Sequence, residues 1–195
     1  MSKEIILASS SPRRIEMIKA KGIDPVIIIP GVDETITTNM KPHDAVMFLA
    51  LKKALHAEST ALERGYNGNA VIAADTIVVY NNIIIGKPND SIEAYDILKA
   101  LNGNVHTVLT GVSIIFAGIT KRKVFYETTK VFFKDYSDYE ITEYVKTSEP
   151  YDKAGGYAIQ GAWGKHIDRI EGDYDNVIGF PWSKISEHLA LFNVI

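Results

Sequence analysis

The order of apolar and polar residues along the chain predicts alternating strands and helices. Apolar runs over Glu4–Ala8 and Val26–Ile29 have the length of strands. Between them, Pro12–Lys21 has the pattern of an amphipathic helix, which Gly22 would end. This opening has the form of a βαβ unit, and a long helix is predicted to follow over about His43–Glu63.

The middle of the chain adds antiparallel structure. The β-prone segments Asn69–Tyr80 and Ile83–Ile85 flank Asn81-Asn82, and asparagine tolerates the positive φ angles of a two-residue hairpin turn. Simple pairing across that turn predicts three cross-strand pairs: Tyr80 with Ile83, Val78 with Ile85, and Thr76 with Lys87.

The second half continues the alternation without a repeat or an obvious linker. Asp90 and Glu93 have the spacing of a capping box, and Gly103 follows the helix that they would open. The remaining predicted elements are strands over His106–Phe116 and Lys123–Phe133 with a turn near Ala117-Gly118, a helix from Ser137 to Lys146, a strand over His166–Ile170 and a C-terminal helix. We therefore expect an α/β fold on a mixed sheet, formed by a single domain over residues 1–195.

Composition narrows the classes of function. The formal net charge is −3, from 21 basic and 24 acidic residues, so no overall positive field favours binding of a nucleic-acid polymer. The chain has no cysteine, which excludes disulfides and thiolate metal sites. The N-terminus lacks the apolar core of a signal peptide, and no apolar run approaches the ~20 residues of a membrane span. We expect a cytoplasmic protein without a membrane partner.

The segment SSSPRR at the predicted start of the first helix combines several features of an anion site. Ser11 is a favoured N-cap and Pro12 suits the first helical position, while the N–H groups of a first helical turn attract anions. Arg13 and Arg14 add guanidinium groups whose geometry matches phosphate. The alternative is a capped helix with two surface arginines.

A second candidate group surrounds Asp75. This carboxylate interrupts a run that otherwise has the composition of a buried strand, and an unpaired buried charge is costly, so it needs a partner or an ion. The predicted hairpin brings Lys87 close to Asp75 and Thr76, although strict alternation would place Asp75 and Lys87 on opposite faces. An irregularity at Gly86 would reconcile them. An edge aspartate and a solvated lysine remain the alternative.

The long predicted helix contains two adjacent lysines that face different ways. Lys53 lies about 20° from Val46 on a helical wheel, at the border of the apolar stripe, whereas Lys52 falls on the polar side. Lys53 is therefore predicted to point towards the interior. The alternative is a lysine whose stem is buried and whose ammonium reaches solvent.

Two loops complete the candidates. The segment YDKAGGYAIQG has three glycines, which permit close approach of a ligand, and Gln160 offers both a donor and an acceptor. Asp33 and Glu34 could supply oxygen ligands to a magnesium-type cation or could equally be solvated loop charges. Neither zinc-ligand spacing nor a P-loop or dinucleotide fingerprint is present.

In this order, the motifs resemble those of the Maf family of nucleoside triphosphate pyrophosphatases. The matching blocks run from end to end: LASSSPRR, GVDE, LALKKA, AADTIVV with IIGKP, LNGNVHTVLTGV, SEPYDKAGGYAIQG and IEGDYDNVIGFP. The resemblance implies an inosine-triphosphatase-like α/β fold with two lobes around a central cleft, and often a homodimer. It also implies Mg²⁺- or Mn²⁺-assisted hydrolysis of a nucleoside triphosphate to the monophosphate and pyrophosphate.

The resemblance assigns roles to individual residues. It implies that Asp75 is the catalytic base and a metal ligand, and that Glu34 is a further acidic group at the metal. The groups that would bind and neutralise the triphosphate are Ser9, Arg14, Lys53 and Lys87, the two lysines being counted with the catalytic residues.

Base choice is associated in the family with three positions, which correspond to Arg13, Thr76 and Gln160. These residues follow the branch that resembles dTTP/UTP pyrophosphatases, whereas the 7-methyl-GTP branch has tryptophan and glutamate in place of Arg13 and Gln160. We therefore expect hydrolysis of dTTP and UTP. The alternatives are a pyrophosphatase for other modified nucleotides, such as 7-methyl-GTP, and a nucleotide-binding regulator of cell division with little turnover.

Overall fold

A computed structural model describes residues 4–36 and 40–195. Its strands are β1 (Ile5–Ala8), β2 (Val26–Ile27), β3 (Ala70–Tyr80), β4 (Ile83–Ile85), β5 (Val105–Phe116), β6 (Ile119–Phe133) and β7 (Ile167–Glu171). Its α-helices are α1 (Pro12–Ala20), α2 (Pro42–Glu63), α3 (Ser91–Leu101), α4 (Asp138–Tyr144), α5 (Tyr174–Ile178) and α6 (Trp182–Leu191). Short 3₁₀ turns lie at Glu149–Asp152, Ala154–Gly156 and Ala162–His166.

The strands form one mixed sheet in the order β2-β1-β3-β5-β6-β7, with β4 paired to β3. Strand β1 is parallel to both β2 and β3, whereas the β3–β4 and β6–β7 pairs are antiparallel. The expected α/β class and the mixed sheet are confirmed. The predicted elements are present, with most bounds shifted by one to a few residues, and the C-terminal segment forms two helices, α5 and α6.

The chain divides into two compact units. The first comprises the described residues of 1–75, 110–127 and 179–195, and the second comprises 76–109 and 128–178.

In the first unit, both faces of the sheet are covered. Ile5 and Leu7 of β1 belong to one buried cluster, and the alternating residues Ile6 and Ala8 belong to another. Strand β3 divides between the same two clusters in the same way. Because successive side chains of a strand point to opposite faces, the continuous apolar runs in the sequence follow from burial on both faces.

Helix α2 lies very close to strand β5 in this unit. A Cβ atom on Gly111 would lie 2.2 Å from the backbone oxygen of Val46, so only glycine permits the approach. Ala54, Ala57 and Ala61 of the helix are fully buried. This packing fixes the face of α2 from which Lys53 projects.

The second unit contains the predicted asparagine turn. Asn81 and Asn82 have φ angles of 50° and 63°, and the predicted pairs Tyr80–Ile83 and Val78–Ile85 are present. The ladder ends at the Val78–Ile85 pair, so Lys87 lies beyond the strand and the predicted pair with Thr76 is not part of the ladder.

Candidate active site

The entry to helix α1 is built by two of the three serines. Ser11 is the N-cap residue, as predicted, but within residues 4–36 and 40–195 its side chain makes no capping hydrogen bond. The Oγ atom of the buried Ser9 instead accepts a hydrogen bond from the Ser11 N–H at 3.1 Å. Ser9 therefore shapes the loop immediately before the first helical turn.

Arg14 is tied to two other parts of the first unit. Its Nε donates to the Gly179 carbonyl at 2.8 Å, and its Nη1 donates to the Ala74 carbonyl at 2.7 Å. Burial lowers the pKa of Arg14, and the nearby negative charge of Asp75 partly opposes that shift. Arg14 thus joins helix α1, the strand residue next to Asp75 and the segment before α6.

Lys53, Asp75 and Glu34 form the centre of the candidate site. The Lys53 ammonium donates to Asp75 Oδ1 at 2.6 Å and lies 2.9 Å from Glu34 Oε1. Lys53 and Asp75 are each 7% exposed, whereas the side chain of Glu34 is half-exposed. The predicted inward direction of Lys53 is confirmed, and its ammonium is the partner that buried Asp75 requires.

Asp33 and Glu34, which we call the acidic loop, make different contacts. Asp33 Oδ1 accepts hydrogen bonds from the backbone N–H and the hydroxyl of Thr35, at 3.0 and 2.6 Å. These bonds lower the pKa of Asp33. The side chain of Asp33 is thus engaged in a local turn, and Glu34 is the acid whose side chain contacts Lys53.

Lys52 and Thr35 also contribute to this arrangement, although neither was predicted from the sequence to do so. Lys52 Nζ donates to the Asp33 carbonyl at 2.6 Å, which fastens the acidic loop to helix α2. The Asp-x-Thr spacing is a known turn signal that could have revealed the role of Thr35. The contact of Lys52 joins residues far apart in sequence and has no comparable local signal.

Of the four remaining site candidates, Arg13 lies in the first turn of α1, in the first unit, and is half-buried, whereas the other three belong to the second unit. Thr76 follows Asp75 directly on β3 and is half-buried, whereas Lys87 and Gln160 are exposed. The Gly86 carbonyl accepts a hydrogen bond from the Gly155 N–H at 3.0 Å, so the glycine-rich segment is joined to the chain immediately before Lys87. Gly155 also lies against Val78, where a Cβ atom would come 2.8 Å from a side-chain carbon.

The carboxylates of the site fit a divalent cation only in part. No cluster of three or more histidine, aspartate or glutamate residues suited to a metal occurs in the described ranges. Asp75 and Glu34, however, direct one oxygen each at the same ammonium group. Magnesium is commonly held by one or two carboxylates together with substrate phosphates, so this pair fits a shared site better than a site built by protein alone.

Comparisons with known proteins place these features in context. The family profile described as Maf-like protein matches residues 4–192. A dTTP/UTP pyrophosphatase of Bacillus cereus is 42% identical over 192 residues, covering 98% of this chain and 91% of the relative. A dTTP/UTP pyrophosphatase of Pelotomaculum thermopropionicum is 44% identical over 190 residues, covering 97% of each chain.

Among solved structures, the Ham1 protein of Staphylococcus aureus matches 68% of this chain and 73% of its own, with 18% identity and a TM-score of 0.42. The described part of the chain has no helix long and apolar enough to cross a membrane.

Proposed function

The chain belongs to the family of Maf-like proteins, and on that basis we propose that it hydrolyses dTTP and UTP to the nucleoside monophosphate and pyrophosphate. The observation that carries this proposal is the identity of 42–44%, over nearly the whole chain, to relatives named for that activity. The buried Asp75–Lys53 pair with Glu34 beside it supplies the chemistry that such a reaction needs.

Asp75 acts as the base that takes a proton from the attacking water. Its carboxylate is held by Lys53, and its backbone is fixed in the middle of the buried strand β3, which suits a group that must meet the water in a defined position. Water attacks the α-phosphorus, the bond from that phosphorus to the bridging oxygen breaks, and pyrophosphate leaves with the electron pair.

Positive charge near the phosphates comes from several parts of the chain. The ammonium of Lys53 offsets the repulsion between a triphosphate and two carboxylates, because it contacts both of them. Arg14 adds a guanidinium whose planar donor geometry suits phosphate oxygens, and its bonds to the Gly179 and Ala74 carbonyls hold it in place. Lys87, Ser9 and the first turn of α1 complete the proposed phosphate-binding set.

Asp75 and Glu34 would hold a Mg²⁺ or Mn²⁺ ion together with phosphate oxygens. When bound, such an ion supplies positive charge that stabilises the developing negative charge of the reaction. We assign base choice to Arg13, Thr76 and Gln160, on the basis of their correspondence with the dTTP/UTP branch of the family.

The domain organisation, the oligomeric state and the cellular location expected from the sequence also belong to this proposal. The family profile spans both compact units, which supports their treatment as one pyrophosphatase domain. The homodimer and the cytoplasmic location remain predictions.

Hydrolysis of dTTP in ¹⁸O-labelled water tests the reaction. Attack at the α-phosphorus puts the label in the monophosphate and leaves the pyrophosphate unlabelled. Label in pyrophosphate, or release of the diphosphate and orthophosphate, would contradict the proposed bond cleavage. Recovery of intact dTTP after binding measured by titration calorimetry would instead support a nucleotide-binding regulator.

A further inference from the structure

The segment that carries Gln160 has a backbone made of two successive turns. The Gly161 N–H donates to the Ala158 carbonyl at 3.1 Å, and the Gly164 N–H donates to the Gly161 carbonyl at 3.1 Å. A Cβ atom on Gly164 would lie 2.2 Å from the Ile159 oxygen, so the second turn requires glycine. We call residues 158–164 the Gln160 turn, and Gln160 itself is exposed on it.

Both sides of the Gln160 turn are anchored in the core of the second unit. The hydroxyl of buried Tyr157 lies 2.6 Å from His106 Nε2. Trp163 is 2% exposed and packs against Tyr144, with ring centroids 4.5 Å apart. These anchors fix the ends of the turn, and the Gly161–Ala162 peptide between them makes a further contact.

Glu149 makes that contact. Its Oε2 accepts a hydrogen bond from the Ala162 N–H at 3.2 Å, and its Oε1 accepts one from the Tyr144 hydroxyl at 3.0 Å. A Cβ atom on Gly161 would lie 1.8 Å from Oε1, so the carboxylate rests directly on the glycine. Hydrogen bonds to an ionised carboxylate are among the stronger ones in proteins.

We infer that Glu149 is a positioning residue for base choice, because it holds the Gly161–Ala162 peptide that follows Gln160. This inference rests on the proposed function and on the assignment of Gln160 to the base. A side chain that reads a base must present its amide in one orientation, and a small displacement weakens the selection. Glu149 acts here through the turn rather than by touching the reacting phosphates.

Gly161→Ala offers a specific way to displace the carboxylate. The φ of Gly161 is −96°, which alanine adopts without strain, and the close atoms are the end of the flexible Glu149 side chain. The substitution should therefore move Glu149 with little loss of stability. If Gly161→Ala acts by displacing Glu149, it should have no further effect on the kinetics of a protein that already carries Glu149→Ala.

The test compares kcat and KM for dTTP and GTP in the wild type, Glu149→Ala, Gly161→Ala, the double variant and Glu149→Gln. Glu143→Ala, at an exposed glutamate of α4 that pairs with Lys146, is the matched control. We expect Glu149→Ala and Gly161→Ala each to raise the KM for dTTP about tenfold while kcat changes less than about twofold. The double variant should equal the single ones, and Glu149→Gln, which keeps a carbonyl acceptor, should stay near the wild type.

Two results would overturn the inference: an unchanged dTTP-to-GTP preference in Glu149→Ala, or independent effects of the two substitutions in the double variant. A wild type without preference for dTTP would contradict the proposed function and, with it, the role in base choice. Hydrogen exchange over residues 158–164 then distinguishes the two failures, because unchanged protection in Glu149→Ala would show that Glu149 does not order the turn.

Discussion

At the scale of single residues, side chains of the same charge that are adjacent in sequence make different contacts. Lys53 contacts two carboxylates, whereas Lys52 donates to a backbone carbonyl. Asp33 is engaged by Thr35, whereas Glu34 extends to Lys53. The inward direction of Lys53 could be predicted from helical periodicity. The division between the acids could not, because it depends on how the loop lies against helix α2.

Asp75→Asn tests the central carboxylate. An amide has nearly the same shape and can still contact Lys53, but it cannot take a proton from water, so kcat should fall by about 10²–10⁴-fold. The melting temperature and circular dichroism spectrum report whether the fold is retained. Wild-type turnover by the folded variant would contradict the role of Asp75.

Arg13 and Arg14 should respond differently to replacement by lysine. One ammonium cannot reproduce the two directed bonds of Arg14 to the Gly179 and Ala74 carbonyls, so Arg14→Lys should lower the free energy of unfolding by about 1–3 kcal/mol. It should also reduce kcat/KM for all nucleotides by similar factors. Arg13→Lys should keep the stability and change the ratio between nucleotides.

Urea unfolding and a set of nucleotides assayed on both variants provide the measurement. Equal losses of stability and of activity in the two variants would show that the arginines do not divide their roles.

At the scale of elements, helix α2 positions Lys53 only because it lies against strand β5. Gly111 permits this approach, yet the sequence gives no sign that the glycine faces a helix backbone. The existence and approximate bounds of α2 were predictable from its apolar periodicity. The contact of Val46 with Gly111 was not, since it joins residues that are distant along the chain.

Gly111→Ala should push the helix away from the strand. The added Cβ would meet rigid backbone atoms at 2.2 Å, so we expect a loss of about 3 kcal/mol in the free energy of unfolding and reduced turnover through displaced Lys53. Gly31→Ala is the control for stability, because its nearest neighbour is a His56 side-chain atom at 3.9 Å. Equal stability of the two variants in urea would contradict the close approach.

At the scale of the whole molecule, the chain crosses between its two units four times. Three of the boundaries, at residues 75/76, 109/110 and 127/128, fall inside strands β3, β5 and β6. Domain boundaries are usually recognised by flexible polar linkers, and a boundary within a strand has none. This is why the α/β class could be predicted from the pattern of elements, whereas the boundaries of the units could not, although the family resemblance implied two lobes.

The stability of the whole chain should depend on His106. Burial lowers the pKa of this histidine to about 4, from an ordinary value near 6.5. Well above pH 6.5 the imidazole is neutral in both the folded and the unfolded chain. As the pH falls from there towards 4, the unfolded chain takes up the proton first, so folding loses stability.

The contribution of His106 to this loss approaches about 3 kcal/mol at pH 4. His106→Gln lacks the titrating group, so the difference in unfolding free energy between it and the wild type should change across this window. Urea titrations at several pH values measure that difference. A constant difference from pH 7 to pH 4 would contradict the burial of a neutral imidazole.

The proposed activity is tested most directly by the rate at which the purified protein releases pyrophosphate from dTTP, UTP, GTP, ITP and 7-methyl-GTP, with and without Mg²⁺ or Mn²⁺. We predict metal-dependent turnover with kcat/KM for dTTP and UTP at least about tenfold above the other three nucleotides. Preferred hydrolysis of 7-methyl-GTP would contradict the assigned base choice. Absence of pyrophosphate release from every nucleotide would contradict the proposed activity itself.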